Sequence, residues 1–532
     1  SYAYNLNPLP FITIAQFTFE HYRHRYLPSR TLYYLDYSYD TFARKALHGG
    51  NTNVRRLHYE CTPQEAGTIH RGEKVLRYID IQSLYPTVQF YDAMPVGYPK
   101  TVFYSEDSQP SHTELETFFG FIECDIEPTK FLFHPLLARY HNSRLYMDLH
   151  PHKRVVLTSV EFQLAISEEC QYRCARVYRI DHYKKSTDLF RPFISNWLKL
   201  KITSSPRPDE STFSEFANDL KTKLDINVTS DDFQPNPSLR TLAKLVLNSL
   251  WGKFGQRSQL PENMVIKSAD SLFEYHANVH MGYFNEKATK QVGISSIMKT
   301  FTRERKWNKK NVAIAAFVTA NARIRLWKIL NQLGDRVLYH DTDSVIYERR
   351  FANDTMIKED KYLGDWESET GDALIHEFVG LAPKTYSYAY IDPKSGKRKE
   401  VVKSKGFTIK QETTKVLNLK TYREILKSAC QSVYPTEGEN HSQVVDVPVT
   451  VFRHDIDNGI MFTAEQKKQL TFNYQKGFIN YSNMKTYPYG SQKFLGNALF
   501  AHQKDHVIDT IIEDPCIDSL EDNVVFQCLH DL

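Results

Sequence analysis

Several features that would place the chain quickly are scarce in it. Its 532 residues include only seven cysteines (Cys61, Cys124, Cys170, Cys174, Cys430, Cys516 and Cys528), an odd and scattered set that does not form a disulfide framework. Such a set suits reduced thiols inside a cell. Cys170 and Cys174 stand four apart in a stretch expected to be helical, but no second Cys/His pair with zinc-like spacing accompanies them, so no structural zinc is expected. No apolar run approaches the ~20 residues that a bilayer span requires, and the N-terminus lacks a signal-peptide core. The expectation is a soluble, intracellular protein with no membrane partner. The initiator methionine is missing too, which suggests a fragment or a processed product. Neither charge sign dominates: 67 basic residues face 63 acidic ones for a net charge of +4, so a polyanion would have to be met by local basic patches. There is no internal repeat and no low-complexity tract.

The length, in contrast, is ample for more than one structural unit and favours a multi-lobed enzyme over a small peptide-binding module. Along the chain, "ITIAQFTFEHYRHRYL" reads as a helix in preference to an extended connector, "LHGGNTN" (Leu47 to Asn53) as a loop, and "VLRYIDI" (Val75 to Ile81) as a strand that delivers Asp80 to its end. Farther on, "FFGFIECDIEP" reads as a strand, "SVEFQLAISEEC" as a helix, and "SSPRPDESTFSE" as an exposed loop. Residues 259–310 look polar and irregular and end in the basic block "RERKWNKK" (Arg303 to Lys310). In "NVAIAAFVTANARIRLWKIL", Ile314, Phe317, Val318, Ile324 and Trp327 fall near helical spacing. The last third reads only as mixed α and β.

Three stretches carry chemistry. "RVLYHDTDSVIY" (Arg336 to Tyr347) sets Asp341 and Asp343 in a tight turn between two short strand-forming runs. Two carboxylates at one hairpin tip repel unless a divalent cation sits between them, although Asp, Thr and Ser also make ordinary solvated turns, and the hexapeptide alone leaves both readings open. Asp80 closes a hydrophobic strand in the same way, so neighbouring strand ends could pool three carboxylates around hard, oxygen-seeking Mg²⁺. Two such ions, ~3.5–4 Å apart, support in-line phosphoryl displacement. The third stretch, "PSLRTLAKLVLNSLWGKFG", is expected to form a helix with Ser238 as N-cap. At about 100° per residue, Arg240, Lys244, Asn248 and Trp251 share one arc, opposite Leu242, Leu245, Val246 and Ser249. That stripe suits a triphosphate lying along the helix, and equally a solvated basic face. A nuclease needs no triphosphate site, so the helix favours nucleotidyl transfer over phosphodiester cleavage.

Together these stretches resemble the signature motifs of family B DNA polymerases: "DIQSLYP" (Asp80 to Pro86) is similar to motif A, "KLVLNSLWG" (Lys244 to Gly252) to motif B with Trp251 where tyrosine is usual, and "YHDTDS" (Tyr339 to Ser344) to motif C. "LHGGNTN" resembles the YxGG motif and "KTY" (Lys384 to Tyr386) the KxY motif. The long stretches between motifs A and B and between B and C resemble those of the protein-primed subgroup of phages, linear plasmids, adenoviruses and Polinton-type elements. "FISNWLKLK" is similar to that subgroup's segment before motif B and places Lys201 at its nucleotide-binding lysine. The resemblance is strong from about residue 47 to 410 and fades beyond.

It implies an α+β right-hand polymerase. Residues 1–46 would be an N-terminal connector that could hold an exonuclease-domain remnant, 47–118 palm with motif A, 119–187 an insertion like terminal-protein region 1, and 188–258 fingers with motif B. Residues 259–310 would be an insertion like terminal-protein region 2, 311–412 palm with motif C and KxY, and 413–532 thumb and C-terminal region. Asp80, Asp341 and Asp343 become the catalytic carboxylates, with Asp80, Asp343 and the Ile81 carbonyl as ligands of two Mg²⁺ ions, replaceable by Mn²⁺, and Asp341 as their support. Ser83, Leu84, Tyr85, Lys201, Arg240, Lys244, Asn248 and Trp251 would bind the dNTP, with Tyr85 packing under the sugar where a 2′-hydroxyl has no room. Gly49, Gly50, Tyr339, Thr342, Lys384 and Tyr386 would contact template–primer DNA, and the basic blocks 303–310 and 394–405 would line the duplex path. Further expectations from the resemblance are a monomer, a terminal priming protein as partner, and a viral or mobile-element gene.

Proofreading exonucleases of the family announce themselves with an N-terminal D-x-E, which residues 1–46 lack. "CDIE" (Asp125 to Glu127) follows motif A and reads as an insertion strand, and "YYLDYSYD" offers at most a remnant, so no proofreading by this chain is expected. The rival readings are a catalytically silent polymerase fold that binds DNA or a priming protein, and a two-metal nuclease.

Overall fold

A computed structural model of the chain describes residues 11–61, 75–257, 261–292, 296–303, 310–349, 357–433, 443–455 and 458–496. Its centre is a nine-stranded antiparallel sheet. Along its main path lie Thr52–Val54, Val337–Asp341, Ser344–Arg349, Val75–Ile81, Ile375–Ala382, Thr385–Ile391 and Arg398–Ser404; Trp366–Ser368 also pairs with Val75–Ile81, and His58–Glu60 with Ile375–Ala382. Apolar side chains of the sheet (Val54, Leu76, Leu338, Ile346, Phe378 and Val379) share one buried core with Tyr422, Ile425 and Leu426 of the helix Leu419–Val433.

The helix Val312–Leu333 joins the sheet to everything else. Asn311 caps it by accepting from the Ala313 N–H, and Gly334, at φ 57°, ends it. Alanines at 313, 315, 316, 320 and 322 let neighbours approach closely, so the helix is buried almost all round. One side packs on the helix Pro237–Gly255 and on the aromatic cluster around Trp197, Phe190 and Phe254; farther along, Ile324 and Trp327 enter the core of a second sheet. That second sheet runs in the order Met94–Phe103, Tyr172–Ser186, Gly120–Pro128, His152–Thr158, so it takes one edge strand from outside residues 119–187.

Several local expectations need correction. Cys170 and Cys174 do not share a helix: Ser159–Ile166 ends before them, Gln171 turns the backbone at φ 55°, and Cys174 pairs with Ile126 in the sheet. In "SSPRPDESTFSE" only the front half is loop, because Glu210–Leu224 becomes helical as soon as the two prolines are passed. Residues 261–292 and 296–303 are not irregular. They form a three-stranded sheet (Pro261–Ile266, Ile297–Arg303, Phe284–Gln291) with the helix Ala269–His280, around a small core of Ile266, Tyr275, Phe284 and Phe301. Apolar residues are so sparse on these strands that no period-2 pattern reaches the eye. The "RERKWNKK" block lies mostly outside the described residues. Among the described residues, no helix is long and apolar enough to cross a membrane.

The last third comprises the Leu419–Val433 helix, a long ribbon (Val445–Asp455 with Ile460–Leu470) and a short pair, Phe478–Asn480 with Lys485–Tyr487. This pair returns to the central sheet: the Thr486 N–H donates to the Arg55 carbonyl, and its hydroxyl to that of Val54.

Candidate active site

The aspartate pair sits on a hairpin. Val337–Asp341 and Ser344–Arg349 pair antiparallel with Asp341 opposite Ser344, leaving Thr342 and Asp343 as the turn, Thr342 in the left-handed region at φ 51°. The second hairpin strand continues the sheet into Val75–Ile81 with Ser344 opposite Asp80, and the Ile81 N–H donates to the Asp343 carbonyl at 2.8 Å. Strand pairing alone therefore brings Asp80 to the hairpin tip from roughly 260 positions away. Just past Ile81, Ser83 adopts φ 58° and the strand becomes the helix Leu84–Tyr91, which buries Leu84.

The two hairpin aspartates are held differently. Asp341 accepts from the Thr52 hydroxyl at 2.6 Å, the Thr342 hydroxyl at 3.1 Å and the Tyr339 hydroxyl at 3.2 Å, with Lys384 Nζ 3.7 Å away. Asp343 accepts no such side-chain bond among the described residues, and Asp80 Oδ1 is buried with no hydrogen-bond partner there. The loop of Gly49 and Gly50 braces this tip: the Thr342 N–H donates to the Asn51 carbonyl, and a Cβ on Gly50 would lie 2.4 Å from Thr342 Oγ1, so only glycine fits. Behind the loop, the buried Arg323 donates to the carbonyls of His48 and Gly49 and pairs with Glu161.

Tyr339 and Tyr386 do not stand open as nucleic-acid contacts. Tyr339 is fully buried, with its ring 4.3 Å from that of Tyr386, and its hydroxyl also accepts the Lys384 N–H. Tyr386 shares a hydrogen bond with Tyr78 at 3.2 Å. Both are wedged under the tip by the pairing of the central sheet.

Partial burial and mutual repulsion show in the acidities. Desolvation, then Asp343 and Glu369, push Asp80 up to about 8; desolvation and Asp341 push Asp343 up to about 7. Glu369 was not foreseen in the sequence. It follows the three-residue strand Trp366–Ser368, whose Glu367 lies opposite Asp80, and alternate acids in "WESE" are the signal that could have marked it. Thr52 was missed too. The set of hard oxygen donors, one of them orphaned and two resisting ionisation, fits a divalent cation of the Mg²⁺ class.

Across from the carboxylates lie cations. Lys201, in the last turn of Arg191–Thr203, reaches Ser83 Oγ at 3.4 Å; burial, with Arg240 and Lys244 nearby, lowers it to about 8. Lys244 also acts on Asp80, and Arg240 donates to Ser205. None of the three forms an ion pair among the described residues. Their helix, Pro237–Gly255, departs from expectation at both its start and its faces. Asn236, not Ser238, is the N-cap, accepting from the Leu239 N–H, because Pro237 takes the first helical position. Leu242 and Leu245 are exposed while Ala243, Val246, Leu247 and Leu250 are buried, so the core-facing arc is rotated from the one expected. Asn248 is half-buried, and Trp251 is buried with its face on Tyr85, the ring centroids 4.4 Å apart. That indole backs Tyr85 and does not stand open for a base.

The family model described as DNA polymerase type B, organellar and viral, matches residues 1–333. The chain belongs to this family. Two curated relatives of this type B chain are each described as a probable DNA polymerase. The one from Agaricus bitorquis is 26% identical over 207 residues, 34% of the chain and 24% of the relative. The one from Neurospora intermedia is 24% identical over 341 residues, 62% of the chain and 30% of the relative. The aligned part thus spans less than a third of either relative. Among solved structures, phi29 DNA polymerase complexed with primer-template DNA and incoming nucleotide matches with a TM-score of 0.56 at 17% identity, covering 87% of this chain and 68% of that one. Its binary complex with primer-template DNA matches at 0.53. The type B chain therefore has the right-hand polymerase fold.

Proposed function

We propose that the chain is a DNA-directed DNA polymerase that adds dNMPs to a primer 3′-hydroxyl. One observation carries this reading: two partly buried carboxylates, Asp80 with an unpartnered Oδ1 and Asp343, meet at a strand junction beside a tethered Asp341 and opposite three cations that form no ion pair among the described residues. Asp80, Asp343 and the Ile81 carbonyl would hold two Mg²⁺ ions, with Mn²⁺ able to substitute, while Asp341 fixes the hairpin tip. Bound there, the ions would make the primer hydroxyl more acidic and stabilise the leaving oxygens. Lys201, Arg240 and Lys244 neutralise the triphosphate, Asn248 positions it, and the backbone at Ser83 and Leu84 lies alongside. Tyr85, backed by Trp251, packs under the deoxyribose and leaves no room for a 2′-hydroxyl. Lys384 reaches the primer end, Tyr339 and Tyr386 hold its seat, and Gly49, Gly50 and Thr342 meet the template. Glu369 adds charge that sharpens the need for metal.

The reading includes protein priming, supported by the long insertions, and a monomeric enzyme without proofreading by these residues. Asp36 is occupied capping Tyr37–Arg44, Asp125 accepts from the Arg154 N–H and the Tyr178 hydroxyl, and Glu127 pairs with Arg173, so none contributes to a second metal site. Extension of a labelled primer with Mg²⁺ and dNTPs is the test: wild type extends and Asp343→Ala does not. Equal extension by both would sink the metal assignment, no extension by either would favour a silent DNA-binding fold, and dNTP-independent degradation would favour a nuclease. Priming predicts a labelled dNMP joined covalently to a separate cognate protein; its absence alongside normal primer extension would remove that part of the reading.

A further inference from the structure

Lys476 lies in the stretch that follows the long ribbon and returns to the palm. The return is anchored at three hydrogen bonds, two from Thr486 to Arg55 and Val54 and one from the Leu57 N–H to the Met484 carbonyl. It brings half-buried Lys476 against the strand Arg144–Met147, where Nζ donates to the Leu145 carbonyl. Of the groups that act on it most strongly, three are cations (Lys405, Arg144 and Lys384) and one is an anion, Asp341. The four cations come from four separate stretches: an insertion strand, the turn before Thr385–Ile391, the end of Arg398–Ser404, and the C-terminal return. Lys384 has Asp341 at 3.7 Å; Arg144, Lys405 and Lys476 form no ion pair among the described residues.

Four cations converging on one already tethered carboxylate repel one another in the free protein, and a polyanion laid between them relieves that repulsion. Their position narrows the choice of polyanion. The triphosphate cations Lys201, Arg240 and Lys244 belong to the fingers, whereas this group gathers on the Lys384 side of Asp341, where the reading above puts the primer terminus.

We propose that Lys476, with Arg144 and Lys405, binds a backbone phosphate of the primer strand next to the terminus held at Lys384. This rests on the polymerase reading and gives the C-terminal return a role: it closes the primer site by a side chain that neither the central sheet nor the long ribbon supplies. Arg144 makes the insertion part of the same site.

The test titrates wild type, Lys476→Ala, Lys476→Arg and Arg144→Gln with a fluorescent primer–template duplex and with the labelled template strand alone, across a range of KCl concentrations. Lys476→Ala is expected to weaken duplex binding about five- to tenfold at low salt and to reduce the log–log salt slope by about one, the signature of one lost phosphate contact. Lys476→Arg restores both, and template-strand binding is unchanged. Arg144→Gln, at an exposed side chain whose loss leaves the fold intact, shifts the slope the same way. Duplex affinity and slope equal to wild type in both Lys476→Ala and Arg144→Gln overturn the proposal, as does an equal loss on the template strand alone. A wild-type protein that extends no primer would instead break the polymerase reading, so the two failures are distinguishable.

Discussion

On the carboxylate side of the site, the hydroxyls of Thr52, Thr342 and Tyr339 converge on Asp341; on the side proposed as fingers, Lys201 and Arg240 bond the hydroxyls of Ser83 and Ser205, and with Lys244 they form no ion pair among the described residues, Glu367 and Asp80 acting on Lys201 and Lys244 only from a distance. The first side thus fixes the position of Asp341 with its own donors, whereas the second gathers three cations for which no ion pair forms among the described residues. The difference teaches what each side waits for. A tethered carboxylate aligns its neighbours, and an unbalanced cation group is completed by an anion from outside.

The sharpest way to break the comparison is on the fingers side. Lys244→Ala is expected to lower kcat/KM for dNTP by on the order of 10²–10³, the scale of losing one preorganised electrostatic contact, measured by steady-state primer extension. A loss confined to DNA affinity would show that the cations serve the duplex instead. On the carboxylate side, Thr52→Val removes one donor to Asp341 and is expected to cost about 1.5–3 kcal/mol, read as slower extension at saturating dNTP. Gly50→Ala is expected to cost about 1–3 kcal/mol, seen as a lower melting temperature, because the new methyl meets Thr342 at 2.4 Å and forces the hairpin tip to shift.

The carboxylates were legible in the sequence because Asp80 and Asp341 each close a run of apolar strand residues, so their placement needed only neighbouring strands. Glu369 and Thr52 were not, since their link to the site exists only through the pairing of very short strands: Glu367 opposite Asp80, and Thr52 opposite Asp341. The fingers helix was legible as a helix with a cationic stripe. Its core side was not, because which apolar residues are covered depends on partners arriving from the helices Ile14–Arg25, Arg191–Thr203 and Val312–Leu333. Small units such as residues 261–292 with 296–303, where four side chains make the core, leave too few apolar positions for periodicity to show.

The central claim is that Asp80 and Asp343 form the metal seat while Asp341 supports it. In the ion-free protein both seat aspartates titrate well above the ordinary carboxylate range. Their protonated forms then stabilise the fold fully below about pH 4, and that contribution is lost as pH rises through 7 to 8. Melting temperature should accordingly fall toward pH 8.5 without ions, and Mg²⁺ should restore more stability at pH 8.5 than at pH 6. The deciding measurement is the Mg²⁺-induced melting shift at pH 8.5 for wild type, Asp343→Asn and Asp341→Asn. The account predicts a shift in wild type, its loss in Asp343→Asn and its survival in Asp341→Asn; a shift that survives in Asp343→Asn and vanishes in Asp341→Asn would contradict it.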